Sequence, residues 1–345
     1  MKKIKILFVG DSTFDMYVNA YYKAAMTFDN VESYIMDFGK LNVKSYIKNF
    51  FFKIERHFKK GPHVRKINSD LLKFVKEKSI DLVFLYACDI IRAKTVKKLS
   101  QNTYVAIYNN DNPFSKYYRP YVWKNVIKSL KFVSIVYSYR KNNISQYIAG
   151  GARNVKLMRS YYIKSRNYYI DDSQISLNIP SVCFMGHFES DNRMEYINAL
   201  LEKEIDVGVH PDWKNTGIKN EHLKYIENAH SQYNEILNKA KIAIVFLSTI
   251  NEDTYTRRCF EIPAAKTLMI APYNEDMASL YEEDKEIVFY RNKDEFVDKI
   301  CYYLTHDEER LKIAGAGYER LMRDGHEASD RVREIISDYI SSKEG

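Results

Sequence analysis

Short apolar runs alternate along the chain with segments that have the length and periodicity of helices. A run of about four to eight apolar residues that ends at a polar residue or a glycine indicates a buried strand. Nine candidate strands follow from this pattern: Ile4–Val9, Asp81–Ala87, Thr103–Tyr108, Phe132–Tyr137, Ser181–Met185, Ile205–Val209, Lys241–Leu247, Thr267–Ala271 and Glu286–Tyr290. Strands that alternate with helices predict an α/β protein with parallel sheets.

The alternation is interrupted once, over residues 164–180, which are polar and end in a proline. A chain of 345 residues is long enough for two domains, since single cores stop growing at roughly 250–300 residues. We therefore predict an N-terminal domain over residues 1–170 and a C-terminal domain over 181–325, with a ligand cleft between them. A last helix, over 326–345, is expected to cross back to the N-terminal domain. Ligands of open α/β sheets bind beyond the carboxyl ends of the strands.

Charge is distributed unevenly over the chain. The net charge is +8, but residues 251–345 hold 14 Lys and Arg against 22 Asp and Glu, and residues 1–250 hold 39 against 23. The four cysteines form no Cys-x-x-Cys pair, which argues against a disulfide framework or a cysteine zinc site. The apolar part of the N-terminus is too short for a signal peptide, and we expect a cytoplasmic protein.

The stretch YTRRCFEIPAAKTLMIAPY, from Tyr255 to Tyr273, holds the most informative motif. It follows a candidate strand and opens a short helix before the next strand. A helix N-terminus and arginine side chains both bind phosphate groups. Glu261, one turn further on, can accept hydrogen bonds from two ribose hydroxyls. The stretch therefore suits a nucleotide diphosphate, although Glu261 could also be a surface residue paired with an arginine. Pro263 is expected to bend the helix.

Seven residues separate Asp253 from Glu261, which resembles the E-x7-E motif of two-domain glycosyltransferases with the GT-B fold. The surrounding sequence is similar to the C-terminal domain of the CgeB-like (spore maturation protein) glycosyltransferases. The similarity extends from Tyr233 to His326, through YNEILNKAKIAIVFL, YTRRCFEIPAAKTLMIAPY, LYEEDKEIVFY, DEFVDKICYYL and ERLKIAGAGYERLMRDGH. The resemblance implies a GT-B fold, in which two Rossmann-like domains face each other across the cleft.

The resemblance also implies transfer of a sugar from a nucleotide-diphosphate sugar. Glu261 would bind the ribose and Arg258 the diphosphate, and Asp253 would lie near the sugar or the phosphates. The remaining candidates for donor binding are the backbone of Tyr255 and Thr256, the side chain of Arg257, and His187 and His210 at two strand exits. Thr256 and Lys266 depart from the family's pattern, since many relatives have glycine at these positions, and the backbone path there is left open.

The chain has no Asp-x-Asp pair of the kind that holds a divalent ion at a diphosphate. We therefore expect no metal and no cofactor, with arginines neutralising the leaving diphosphate. If the reaction inverts configuration, a base from the N-terminal domain is needed. Asp11 and Asp111, which both follow candidate strands, are the preferred catalytic candidates, and Asp15 is a third.

Residues 40–80 hold 12 Lys and Arg against three acidic residues. Within them, residues 44–60 form a basic amphipathic segment, which is typical of a protein that binds an anionic membrane surface. Such contact would place the protein at the inner face of the plasma membrane, near a lipid-linked acceptor. A helix that faces the core and exposes a basic side explains the same pattern.

Three functions compete at this point. The first is a glycosyltransferase of bacterial surface polysaccharide synthesis that acts on a glycan or lipid-linked acceptor. The second is a non-catalytic protein of the same fold that binds a sugar nucleotide or a glycan. The third, a nucleic-acid binder, is disfavoured because the basic half contains no recognised nucleic-acid module and the candidate site lies in the acidic half.

Overall fold

The computed structural model describes residues 3–39 and 46–344. The chain forms two compact units: Met1–Arg159 together with Ala328–Gly345, and Ser160–Glu327. The division differs from the predicted boundary at residues 171–180, because residues 160–170 are bonded to the second unit. The backbone N–H of Ile170 donates to Asn238 Oδ1 at 2.7 Å, and that of Tyr168 donates to Asn234 Oδ1 at 3.1 Å. The polar segment is thus not a free linker.

The first unit has a six-stranded sheet in the order β2-β1-β3-β4-β5-β6, and every neighbouring pair is parallel. Its strands are β1 (Ile4–Gly10), β2 (Val31–Asp37), β3 (Leu82–Tyr86), β4 (Tyr104–Asn109), β5 (Ile135–Ser138) and β6 (Val155–Leu157). Its helices are α1 (Val18–Ala25), α2 (Tyr46–Phe58), α3 (Pro62–Lys78), α4 (Ala93–Leu99), α5 (Lys124–Ser129) and α6 (Asn143–Ala149). The central strand β3 is buried along its whole length, as expected for a parallel sheet covered on both faces.

The second unit repeats this architecture with the order β12-β11-β10-β7-β8-β9, again parallel throughout. Its strands are β7 (Val182–Phe184), β8 (Val207–Val209), β9 (Leu223–Tyr225), β10 (Ile242–Ile244), β11 (Leu268–Pro272) and β12 (Val288–Tyr290). Its helices are α7 (Arg193–Leu201), α8 (Tyr233–Lys239), α9 (Arg258–Ala264), α10 (Glu275–Ala278), α11 (Lys293–Thr305) and α12 (Asp307–Asp324). The α/β class predicted from the sequence is therefore confirmed.

Three strands lie outside the predicted set, namely β2, β6 and β9. All three are edge strands, and each has exposed or half-buried positions. None of them forms the continuous apolar run that marks a strand buried on both faces. No helix among the described residues is long and apolar enough to cross a membrane.

The last helix, α13 (Ala328–Glu344), belongs to the first unit and packs along α1. Its Asp338 accepts a hydrogen bond from the hydroxyl of Tyr137 at 2.9 Å and pairs with Lys156 at 3.0 Å. Burial and the negative charge of Asp338 raise the pKa of Tyr137. Asp338 thus fastens α13 to β5 and β6.

We expect Asp338→Ala to destabilise the first unit by about 1–3 kcal/mol, because the buried Tyr137 hydroxyl loses its acceptor. Hydrogen exchange of the β5 and β6 amides would measure this change within the first unit. Asp70→Ala is the matched control, since Asp70 forms an exposed ion pair with Lys66 on α3, and such pairs contribute about 0–1 kcal/mol. Equal protection in the two variants would contradict this role for Asp338.

Candidate functional site

Helix α9 follows the exit of β10 and is buried all round, from Cys259 to Ala264. It begins without a side-chain cap, and the N–H groups of Phe260 and Glu261 donate to the carbonyl of Arg257 at 2.8 and 3.2 Å. Glu261 is therefore fixed one turn into the helix, and only 5% of its surface is exposed. Because a buried carboxylate is costly unless it is hydrogen-bonded or paired, the surroundings of Glu261 define the site.

Glu261 is bonded through one of its two oxygens. Its Oε2 accepts a hydrogen bond from the hydroxyl of Tyr233, the first residue of α8, at 2.8 Å. Its Oε1 accepts none from the residues that the structure describes. Burial and the charge of Glu261 raise the pKa of Tyr233 well above its ordinary value, against the opposing charge of Arg258. Tyr233 therefore stays protonated and keeps Glu261 in place as an acceptor.

Two guanidinium groups flank this pair. Arg258 lies 5.4 Å from the ring centroid of Phe184 on β7, and Arg166 lies 5.9 Å from that of Tyr233. Neither arginine forms an ion pair with a carboxylate in the described part of the chain, and the buried Nε of each makes no hydrogen bond there. Aromatic faces hold both cations, so their donors remain available for an anion.

Pro263 is accommodated by a tyrosine. A residue with an N–H at this position would donate to the carbonyl of Cys259, four residues back, and proline cannot. The hydroxyl of Tyr281 donates to that carbonyl instead, at 2.8 Å. The helix then ends in a Schellman turn, with Lys266 at φ 54° and hydrogen bonds from Lys266 to Pro263 and from Thr267 to Ile262. Lys266 thus adopts the left-handed conformation that glycine adopts most readily.

His187 and His210, at the exits of β7 and β8, both contact Asp212. The Nδ1 atoms of the two imidazoles lie 2.8 Å from the two oxygens of the Asp212 carboxylate. Burial works to raise the pKa of Asp212, but the hydrogen bonds from His210 and His187 hold it below its ordinary value. The ring of His230, after β9, lies 5.1 Å from that of His210. Burial and the charges of His210, His187 and Arg166 lower the pKa of His230.

Arg193 fixes the loop that bears His187. Its guanidinium is buried, bonds to the carboxylate of Asp191 at 2.7 and 2.8 Å, and donates to the carbonyl of His187 at 2.7 Å. It also lies 5.8 Å from the ring centroid of Phe184, the ring that holds Arg258. Since β10, β7 and β8 are neighbours in the sheet, Arg258, His187 and His210 share one edge of the second unit.

The other predicted donor-binding residues have structural contacts of their own. Tyr255 is fully buried, and its hydroxyl accepts a hydrogen bond from the N–H of Ser160 at 3.2 Å. The N–H of Thr256 points at Cys259 Sγ, 3.5 Å away, and Arg257 stacks on Tyr161 at 5.4 Å. The N–H of Asp253 donates to the carbonyl of Ser248 at 3.0 Å. Among all the predicted donor-binding residues, Glu261 and Arg258 are therefore the two whose arrangement fits the nucleotide hypothesis.

Asp11 and Asp111 follow β1 and β4, at the carboxyl edge of the first sheet. Asp11 pairs with Arg56 at 2.9 Å and accepts a hydrogen bond from the N–H of Thr13 at 3.0 Å. Burial raises the pKa of Asp11, but these bonds outweigh burial and lower it. A carboxylate with a lowered pKa takes up a proton less readily, so Asp11 is the weaker candidate base. The N–H of Asp111 donates to Asn109 Oδ1 at 3.4 Å.

Four residues of the site lie outside the predicted set. Tyr233 opens α8 and Arg166 lies in the predicted linker, while Asp212 and His230 accompany the predicted histidines. Asp212 carried a signal in the sequence, since the exit of β8 reads His-Pro-Asp-Trp. The other three are brought to the site by tertiary packing alone.

Known proteins resemble the chain in sequence over its second half and in fold over its whole length. The family described as glycosyl transferase-like matches residues 193–337, which is less than half of the chain. No curated protein matches the chain. HepE of Anabaena, solved with UDP-glucose, is 13% identical with a TM-score of 0.69, over 98% of this chain and 100% of HepE.

Two further structures extend the comparison. Sucrose-phosphate synthase of Thermosynechococcus elongatus is 12% identical with a TM-score of 0.71, over 99% of both chains. The UDP-GlcNAc 2-epimerase of Neisseria meningitidis, bound to UDP-GlcNAc, is 10% identical with a TM-score of 0.58, over 98% of this chain and 100% of the epimerase. These likenesses confirm the predicted GT-B fold. The narrower resemblance to CgeB-like proteins stays a prediction.

We expect Tyr281→Phe to cost about 1–3 kcal/mol of unfolding free energy, because the Cys259 carbonyl is left without its donor. In a Pro263→Ala background the restored N–H of residue 263 supplies the missing bond, so Tyr281→Phe should cost at least about 1 kcal/mol less there. Urea unfolding of the four chains measures this coupling, and the effect of proline on the unfolded state cancels in the cycle.

Tyr290→Phe is the matched control, since this buried tyrosine donates at 3.4 Å to the carbonyl of Val245, which lies outside α9. Its cost should be the same in the wild type and in the Pro263→Ala background. Equal coupling for both tyrosines would show that Tyr281 does not replace the proline's missing N–H.

Proposed function

We propose that this protein is a glycosyltransferase that uses a nucleotide-diphosphate sugar, with the nucleotide bound by the second unit. The observation that supports this most directly is Glu261, a buried carboxylate with one oxygen bonded to Tyr233 and the other open. Two vicinal ribose hydroxyls are donors of the kind that this open oxygen lacks. A hydroxyl that binds there donates to a charged acceptor, and hydrogen bonds of this kind are strong.

The diphosphate is assigned to Arg258 and Arg166. Their guanidinium groups flank Tyr233 and have no carboxylate partner in the described part of the chain. Arginine is suited to this role because its planar fork of donors matches phosphate oxygens. We propose that these cations stabilise the leaving diphosphate, so that no divalent ion bridging the diphosphate and no cofactor is needed.

For the donor we propose a UDP-hexose. HepE, which shares the fold, was solved with UDP-glucose, with UDP and with UDP and glucose. The acceptor would be a glycan or a lipid-linked sugar in bacterial surface polysaccharide synthesis. Asp111 is the preferred base if configuration inverts, because Asp11 is held by Arg56.

The fold also occurs in UDP-GlcNAc 2-epimerases, and a non-catalytic binder of sugar nucleotides would have the same nucleotide site. The reaction products distinguish a transferase, an epimerase and a non-catalytic binding protein. A transferase releases UDP and forms a new glycosidic bond only with an acceptor, an epimerase changes the sugar configuration of the donor without one, and a binding protein leaves the donor unchanged.

We further propose that α2 contacts an anionic membrane, at the inner face of the plasma membrane. Phe50, Phe51 and Phe58 on this helix are 53%, 55% and 64% exposed, which is unusual for three phenylalanines on one helix. Lys53 and Lys60 are exposed beside them. Arg56 and Lys59 are instead paired with Asp11 and Asp89, so the apolar surface supports the proposal more strongly than the charge. Residues 44 and 45 of the predicted segment lie outside the described residues.

Calorimetric titration with UDP tests the nucleotide site. We expect Glu261→Gln to weaken UDP binding by about ten- to a hundredfold, since a hydrogen bond to a charged group contributes about 1.5–3 kcal/mol. Glu309→Gln is the matched control, because Glu309 also accepts from a tyrosine, Tyr302 at 3.0 Å, but on the exposed surface. UDP affinity that is the same in both variants and the wild type would contradict the assignment of Glu261.

Co-sedimentation with vesicles tests the membrane surface. We expect the protein to bind vesicles that contain phosphatidylglycerol more tightly than pure phosphatidylcholine, and less at high salt. Replacing Phe50, Phe51 and Phe58 with serine should reduce binding by about tenfold or more, because burial of each ring contributes on the order of 1 kcal/mol. Leu311→Ser removes an apolar side chain of similar exposure on α12 and should change nothing. Equal losses in both variants would contradict a specific role for α2.

A further inference from the structure

Imidazoles and a carboxylate from separate loops meet at the carboxyl edge of the second sheet. His187 follows β7, and His210 and Asp212 follow β8. One ligand atom from each of these three residues lies within 4.8 Å of the other two. The imidazole of His230, after β9, is also close, with ring centroids 5.1 Å from His210 and 6.2 Å from His187.

Hydrogen bonding to Asp212 explains only part of this arrangement. The carboxylate can accept from His187 and His210 at once, and it does so at 2.8 Å from each. It also accepts from the N–H of Phe188 at 3.2 Å. His230 takes no part in these bonds, and its ring approaches those of His187 and His210. Imidazole is the commonest metal ligand among protein side chains, so the cluster is a candidate metal site.

The ligand set matches a transition-metal ion in chemistry, and its spacing is close to the one that such an ion needs. Imidazole nitrogen and carboxylate oxygen bind Zn²⁺ at about 2.0–2.2 Å in a tetrahedral arrangement, which places the ligand atoms roughly 3.4 Å apart. The Nδ1 and carboxylate oxygen atoms are 2.8 Å apart, so they need to separate by about half an ångström. The side chain of His187 is 67% exposed, and an ion can therefore reach the site from solvent.

We propose that His187, His210 and Asp212 bind one divalent transition-metal ion of the Zn²⁺ class, with the fourth position open toward His230 and solvent. The ion links the loop after β7 to the loop after β8, which are also joined by the bonds to Asp212 and by the bond from Trp213 Nε1 to the Gly186 carbonyl at 3.1 Å. It is bound by protein ligands alone, so the proposal does not depend on the nucleotide site. It also differs from the expectation, based on the missing Asp-x-Asp pair, that the chain binds no metal.

The ligand types predict selectivity. Two imidazoles favour Zn²⁺, Cu²⁺, Ni²⁺ and Co²⁺, whereas Mg²⁺ and Ca²⁺ prefer sites built from oxygen ligands. Millimolar Mg²⁺ should therefore leave bound Zn²⁺ in place. Displacement of Zn²⁺ by Mg²⁺ at that concentration would contradict the assigned ligand set.

The test is titration of chelator-treated full-length protein with Zn²⁺ against a fluorescent zinc indicator, with elemental analysis for stoichiometry. We expect one high-affinity Zn²⁺ per chain, and His187→Ala should weaken it at least about tenfold, since even supporting residues of a metal site alter affinity by 10–100-fold. His187 is exposed, so this variant should fold. His222→Ala is the matched control, because His222 forms a similar pair with Asp206 at 2.9 Å but contacts no second imidazole among the described residues.

Thermal unfolding gives an independent readout. Zn²⁺ should raise the melting temperature of the wild type and of His222→Ala by mass action, and should not raise that of His187→Ala or His210→Gln. The proposal is overturned if the wild type binds no Zn²⁺ more tightly than His187→Ala, or if Zn²⁺ stabilises all four chains equally.

Discussion

A carboxylate within the buried and otherwise apolar segment Cys259–Ala264 of α9 is the constraint around which this part of the second unit is organised. Burying Glu261 costs free energy that no apolar contact returns, so nearby groups must compensate. The Tyr233 hydroxyl supplies the one hydrogen bond, and the guanidinium groups of Arg258 and Arg166 supply positive charge without neutralising the carboxylate by contact. The compensation is incomplete, because Oε1 of Glu261 accepts no hydrogen bond from the described residues. This incomplete compensation is the basis of the proposal that Glu261 binds a ligand.

Fold class and most strands could be predicted from the sequence, because strands buried on both faces read as continuous apolar runs. Nine of the twelve strands in the described residues were predicted in this way. The other three strands, β2, β6 and β9, lie at sheet edges. They contain exposed or half-buried positions, so they do not form continuous apolar runs. The polar segment after residue 160 was interpreted as a linker for a similar reason. Its polar groups are satisfied by the asparagines of α8, which a linear pattern does not reveal.

The nucleotide-binding part of the candidate site is predictable only where its residues are close in sequence. Arg258 and Glu261 share one helix, and their spacing alone places both at the β10 exit. Tyr233 and Arg166 come from segments 28 and 95 residues before Glu261, and only tertiary packing joins them to it. The base in the first unit had equal support for Asp11 and Asp111, until the ion pair with Arg56 separated them. Contacts of this kind depend on rotamers and on neighbouring loops, which the sequence pattern does not encode.

The return of α13 to the first unit has a consequence for biosynthesis. The second unit is inserted between Arg159 and Ala328 of the first, so its residues are contiguous and it can fold while the ribosome is still adding residues. The first unit lacks its final helix until the end of synthesis, so Tyr137 and Lys156 cannot bond to Asp338 before then. Until then the face of α1 that packs on α13 is exposed, and chaperones or proteases have access to it for the whole interval in which the second unit is made.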